Sequence, residues 1–130
     1  FFNCNAIVNS LNGGSSENGS LLKAASGAFE QAVYVQVKNI VQTIIKLKKM
    51  GYFVIGLDEN SADKVSSFKK GNSDIAIVFG AEGRGIRRLT KEHCDQLVSI
   101  DGNHDFSSLN VSTAVGITLF NMQSNSSKRT

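Results

Sequence analysis

The sequence predicts an α/β fold, a mostly parallel sheet with helices on both faces. Two observations carry that reading. Short apolar runs recur, at Phe53-Val54-Ile55-Gly56, Ile75-Ala76-Ile77-Val78-Phe79 and Gln96-Leu97-Val98-Ser99-Ile100. Their length and β-branched content suit strands buried on both faces. Between and around them lie segments with helical spacing or helix caps, and strands that alternate with helices argue a parallel sheet.

The elements follow in order. Phe1-Phe2 looks like the middle of an element, so the chain reads as a portion of a longer protein. Ala6-Ile7-Val8 is a strand candidate, and NSLNGGSSENGS at 9–20 is a Gly/Ser/Asn loop, functional or disordered. Ser20 can cap a helix over 21–30. Residues 32–37 alternate and read as a strand. Asn39 is a good N-cap for a helix over 40–50, with Ile40, Ile44 and Leu47 along one stripe. Lys46, Lys48 and Lys49 suit the negative end of that helix's dipole, and Gly51 ends it. A polar segment at 58–74 precedes the Ile75 strand. Thr90 is expected to cap a short helix, with Glu92 in its first turn. A loop follows at 101–106. Residues 110–122 form a last helix with Val111, Val115, Leu119 and Met122 on one face, leaving 123–130 as a frayed polar tail.

A length of 130 residues fits one domain able to bury a core. Lys+Arg 14 against Asp+Glu 11 gives a net charge of +3, which permits an RNA partner without demanding one. Cys4 and Cys94 lack metal or redox spacing and point to a reducing compartment. No apolar run approaches the roughly 20 residues of a membrane helix, and the start lacks a signal-peptide pattern.

The candidate chemistry centres on IAIVFGAEGRGIRRL at 75–89. Gly80, Gly83 and Gly85 are spaced G-x-x-G-x-G, which is neither the dinucleotide motif nor a phosphate loop. A tight strand-to-helix turn and a ligand-holding loop remain equal readings of that spacing. Ligands of parallel sheets bind outside the carboxyl ends of strands, where Gly56, Gly80 and the chain from Ile100 to Leu109 all fall.

Two long segments narrow this. GAEGRGIRRLTKEHCDQLVSI at 80–100 and SSLNVSTAVGITLF at 107–120, with KAASGAFE at 23–30, closely resemble the SpoU-type (TrmH-type) RNA ribose 2′-O-methyltransferases. The nearest members are bacterial enzymes acting on a guanosine ribose of large-subunit ribosomal RNA. The resemblance runs from Phe1 to about Met122. It implies a deep C-terminal trefoil knot, against the general rule that chains do not knot. It also implies S-adenosylmethionine as cofactor, RNA as substrate, a homodimer, no metal, and a bacterial cytoplasmic or organellar location. Transfer RNA as substrate, or a non-catalytic RNA- or nucleotide-binding module, are the alternatives.

By the same resemblance Gly80, Ile100 and Leu109 contact the cofactor, and Gly56 is counted with them because it too lies at a strand's carboxyl end. A bulky residue at Gly80 is expected to abolish cofactor binding and leave the fold intact. Glu82 braces the glycine loop. Ser108 and Asn110 lie near the transferred methyl and the ribose hydroxyl, and Asn110 also suits a helix N-cap. Arg84, Arg87, Arg88 and Lys91 are four basic residues within eight positions, read as a phosphate-contacting cluster. His93 and Cys94 are read as structural. The family's first motif, with an Asn and a catalytic Arg, is expected to precede Phe1. Asp101-Gly102-Asn103-His104 stands where relatives carry a Pro-Met-x-Gly type loop, so an acid changes the charge beside the cofactor.

Overall fold

The computed structural model describes residues 4, 6–10, 33–69, 71–81, 84–102 and 110–127. The helix expected over 21–30 and the site candidates Glu82, Ser108 and Leu109 lie outside the described residues. So does His104.

Strands β1 (Ala6–Ser10) and β2 (Val33–Val37) pair in parallel, with Ala6 opposite Val33 and Ser10 opposite Val37. The pairing carries β1 two residues past the Val8 end expected from its apolar run, because ladder bonds do not require apolar side chains. In β2 Val33 and Val35 are exposed and Tyr34 is half-buried, and the alternation breaks at its end, where Gln36 is exposed and Val37 half-buried.

Helix α1 (Ile40–Lys49) starts as expected, with the Asn39 side chain accepting the Gln42 N–H at 3.2 Å. Ile44 is buried on its inner face, and Gly51 takes the positive φ of 95° that ends it. The chain then enters β3 (Phe53–Leu57), whose Val54 and Ile55 are wholly buried. A 3-10 turn (Val65–Ser67) precedes β4 (Ile75–Val78); α2 (Arg88–His93), β5 (Gln96–Val98) and α3 (Val111–Ser127) follow.

The order in the second sheet is β4-β3-β5, all parallel. The described strands thus make two parallel sheets, of two and three strands, where the sequence reading had one. Ile55, Val65, Phe68, Val98 and Met122 form the core, so the 3-10 turn and the end of α3 close over one face of β3 and β5.

Three boundaries differ from expectation. Thr90 does not cap α2; Arg87 holds the N-cap position and Thr90 lies inside the helix, 9% exposed. Burial of its methyl there outweighs its capping tendency. β5 stops at Val98 because Ser99 turns to a different neighbour, donating its N–H to Asp63 O at 2.8 Å and accepting Val65 N–H at 2.8 Å. α3 runs on to Ser127, past the Met122 end expected, with Met122 buried in the core. The buried face of α3 is carried by Thr118 and Met122 together, and the Thr118 hydroxyl bonds the Ala114 carbonyl at 2.7 Å. Among the described residues no helix is long and apolar enough to cross a membrane.

Candidate functional site at the carboxyl ends of the strands

Register places the candidate residues at one edge. Gly56 lies opposite Val78 of β4 and Leu97 of β5. Gly80 is therefore two residues beyond that level and Ile100 three beyond it, on the same side of the sheet. β4 and β5 flank β3 on opposite sides, so the chain reverses direction of travel across the sheet there. The crevice outside the carboxyl ends at such a reversal is where ligands of open parallel sheets bind.

The glycine loop is a closed turn. Ala81 bridges Gly85 in antiparallel fashion, and the Ala81 carbonyl accepts both Arg84 N–H at 3.2 Å and Gly85 N–H at 3.0 Å. Gly85 takes a positive φ of 66°, a conformation only glycine adopts without cost. Gly80 is required for a different reason. A Cβ there would meet the Gly85 backbone, with Gly85 Cα at 2.5 Å. The turn thus depends on backbone touching backbone.

Gly56 has a packing reason to be glycine. A Cβ at this buried position would meet Leu97 Cδ2 at 2.8 Å, Cys94 Sγ at 3.0 Å and Ile86 Cδ1 at 3.1 Å. The space above its Cα is filled by protein, so Gly56 sets how closely the glycine loop's exit seats on β3. That packing is a reason for glycine at this position independent of any ligand.

The edge fits the adenosine-bearing cofactor that the resemblance implies. Leu57, Phe79 and Ile100 are half-buried apolar side chains there, next to the exposed backbone of the turn. Apolar walls with a few placed backbone groups are what such ligands need.

The basic cluster divides. Lys91 is drawn inward, its Nζ 3.2 Å from Asp58 Oδ2 at the carboxyl end of β3, which removes it from the phosphate-facing group. Arg88 lies 3.8 Å from Glu92, one helical turn on, and its side chain is 87% exposed. At that exposure the pair holds the guanidinium only weakly. Arg84 and Arg87 are exposed, and neither makes an ion pair among the described residues.

Asn110 caps α3: its Oδ1 accepts Ser112 N–H at 2.8 Å and its carbonyl accepts Ala114 N–H at 2.9 Å. Capping uses only the side-chain oxygen, so the NH2 group remains a separate donor.

His93 and Cys94 are structural, as read. His93 Nδ1 lies 2.8 Å from Leu89 O, and Cys94 Sγ donates to Thr90 O at 3.3 Å. Burial pushes the Cys94 thiol up from its ordinary value, the Asp95 charge adds to this, and Lys48 opposes it. The neutral thiol is therefore favoured by folding. Its contribution is intact below the unfolded thiol pKa and is lost as pH rises through the folded one. With iodoacetamide at neutral pH, exposed Cys4 should be alkylated at least about tenfold faster than Cys94, because only thiolate reacts. Peptide mass spectrometry reads both rates; equal rates would contradict this environment.

Sequence reasoning passed over two carboxylates. Asp58 follows β3 and holds Lys91. Asp95 precedes β5; its Oδ2 accepts Val54 N–H at 2.8 Å and its Oδ1 meets Lys48 Nζ at 3.3 Å. An acid next to an apolar run was the available signal. The described hollow of about 180 Å³, lined by Phe53, Phe68, Lys69, Ser73, Ile75 and Gln96, lies at the opposite, amino ends of the strands. Among the described residues no group of His, Cys, Asp and Glu is placed to hold a metal.

A parallel α/β unit with a glycine turn and a strand reversal at one edge defines a ligand-binding domain of the open-sheet class. The profile of the SpoU rRNA Methylase family matches residues 1–120, and the chain belongs to that family. It is 47% identical over 104 residues to the 23S rRNA (guanosine-2′-O-)-methyltransferase RlmB of Ralstonia nicotianae, covering 79% of this chain and 41% of that protein. The RlmB protein of Escherichia coli K12 is 42% identical over 103 residues, covering 79% and 42%. The chain thus spans about two fifths of the length of these curated relatives. The fold is shared with the SpoU methyltransferase AviRb of Streptomyces viridochromogenes, solved with AdoMet (TM-score 0.74, 19% identity, 89% of this chain and 45% of that one). It is shared also with the A. aeolicus TrmH/SpoU tRNA modifying enzyme (TM-score 0.78, 20% identity, 96% and 63%).

Proposed function

We propose that the protein transfers a methyl group from S-adenosylmethionine to a ribose 2′-hydroxyl of ribosomal RNA. The observation that carries the reading is the glycine turn closed on itself at the strand reversal, in a chain nearly half identical to a named 23S rRNA methyltransferase. The cofactor supplies an electrophilic methyl on a charged sulfur. Gly80 and Ile100, with Leu109, frame it. Asn110 and Ser108 orient the ribose without adding charge, and Glu82 braces the turn. Arg84, Arg87 and Arg88 lie along the outer side of the turn, where a phosphate backbone passes. The wider assembly in this reading has helices on both sheet faces, a methyltransferase domain over 1–122 with a trefoil knot at its C-terminal end, and a two-fold dimer, in the bacterial cytoplasm.

Two variants separate the roles. In a protein that also carries the family's first motif, Asn110→Ala should lower single-turnover methylation of ribosomal RNA at least about tenfold with RNA affinity nearly unchanged, and its lost cap should cost about 1 kcal/mol of stability. Arg87→Ala should weaken RNA binding and flatten its salt dependence by about one phosphate's worth of counterion release. Loosened RNA in the first variant, or an unaltered salt slope in the second, would refute this division. Calorimetry detecting no heat from S-adenosylmethionine with the folded protein would remove the cofactor assignment itself.

A further inference from the structure

Lys91 stands apart from the outward-facing arginines, and the partner that holds it is itself fixed. Asp58 is the first residue beyond β3, and its side chain is 13% exposed. Its N–H donates to Val98 O at 2.9 Å and its carbonyl accepts Ser61 N–H at 3.0 Å. Oδ1 accepts Asn60 N–H at 3.1 Å, and Oδ2 lies 3.2 Å from Lys91 Nζ. The carboxylate that meets the lysine is thus tied to the ends of both β3 and β5.

The glycine turn has two arms, and both touch this corner. It is entered from β4, where Val78 pairs with Gly56 of β3, through Phe79 to Gly80. It is left through Gly85 and Ile86 into α2, and the carbonyl of the N-cap Arg87 accepts Lys91 N–H at 3.0 Å. The arms are in contact, because a Cβ on Gly80 would meet Gly85 Cα at 2.5 Å. Any shift of Gly85 and Ile86 therefore alters the backbone surface at Gly80. The entering arm is held by the sheet. The leaving arm is held by Ile86, 6% exposed beside Gly56, and by α2. A helix of six residues does not hold its place unaided. It packs on α1, and Lys48 Nζ donates to His93 O at its far end. Among the described residues, the ion pair that ties it to the carboxyl end of β3 is Lys91–Asp58, one helical turn from the N-cap.

We propose that Asp58 and Lys91 are positioning residues whose ion pair holds α2 to the end of β3 and so keeps the leaving arm of the glycine turn seated against Gly80. Gly80 is a cofactor contact in the methyltransferase reading above, and the role rests on that reading. Lys91 acts on the turn, and the phosphate backbone is left to the arginines.

Four variants test this: Lys91→Met, Asp58→Asn, the double Asp58→Asn/Lys91→Met, and Lys91→Arg. Methionine keeps the apolar stem and asparagine keeps an acceptor for Asn60 N–H, so all four should fold. Hydrogen exchange without cofactor is read by NMR at Arg84 and Gly85, whose amides bond the Ala81 carbonyl. Both residues are exposed, so these amides exchange by local opening, which a change in global stability does not move. Calorimetry with S-adenosylmethionine and with S-adenosylhomocysteine reads the consequence.

Lys91→Met and Asp58→Asn should each speed exchange at Arg84 and Gly85 at least about threefold. Each should weaken both ligands by about threefold to tenfold, the range for losing one partly buried ion pair. The double variant should be no worse than the worse single one, since both remove the same interaction. Lys91→Arg, which keeps the cation, should recover most of the affinity. The salt slope of RNA binding should be the same in Lys91→Met as in the parent. Unchanged exchange in the two single variants overturns the positioning role, as do additive losses or unchanged affinity for both ligands. A salt slope flattened by Lys91→Met overturns it too, because the lysine would then be meeting phosphate. If the parent binds neither ligand while exchange at the turn still responds, the methyltransferase reading fails and the positioning role fails with it, leaving the ion pair a tie within the fold.

Discussion

Replacing Gly80 with alanine or valine is expected to cost about 3 kcal/mol of stability or more, and to abolish cofactor binding as a consequence. The new Cβ would sit on the Gly85 backbone, which cannot swing aside as a side-chain end would. To make room, the Ala81–Gly85 bridge has to open, and with it the two N–H bonds to the Ala81 carbonyl. The sequence reading expected the fold to survive a bulky residue here; the close approach overturns that. Gly85→Ala is the contrast. Its Cβ would meet nothing within 4 Å, so only the positive φ is charged, about 1 kcal/mol. Urea unfolding of the two variants should rank Gly80 well above Gly85. A parent-like midpoint for Gly80→Ala would show that the turn re-forms around the methyl and would discard the close-packing argument.

Asp95→Ala is expected to destabilise by about 2–3 kcal/mol, because it leaves the Val54 N–H of a wholly buried residue without an acceptor. Asp95 also donates its own N–H to Val54 O at 2.7 Å, so it continues the β3–β5 ladder one residue below β5 with a carboxylate standing in for a carbonyl. Asp95→Asn keeps an acceptor and should lose about 1 kcal/mol or less. Lys48→Met removes the ion pair together with the Lys48 Nζ bond to His93 O at 3.2 Å; with the lysine side chain 39% exposed, the effect should be about 0.5–1 kcal/mol. Denaturant midpoints for the three variants order these contributions. If Lys48→Met proves as damaging as Asp95→Ala, the ion pair and not the backbone bond dominates.

These residues mark how far the sequence could be read. It determined the elements wherever the cause is local. The apolar runs at 53–56 and 75–79 became β3 and β4, Asn39 and Asn110 capped their helices, and Gly51 ended α1. Each depends on backbone conformation or a hydrogen bond within four residues, which composition and spacing display directly. The motifs at 80–100 and 107–120 further carried the family and, through it, the expected site.

Only the tertiary structure decided which of those residues meet. The order β4-β3-β5, the seating of Ile86 on Gly56, the pull of Lys91 onto Asp58 and of Asp95 onto Val54 join positions tens of residues apart. Periodicity says which face of an element is apolar and is silent on which charged side chain a distant strand end will offer. So the sequence could not show that Asp58 stands beside Lys91, that Ile86 and Leu97 fill the space above Gly56, or that Ser66 donates to Asp101. Packing decided these meetings: the half-buried side chains of Asp58 and Asp95 each take the polar partner that the fold brings within reach, which offsets their desolvation.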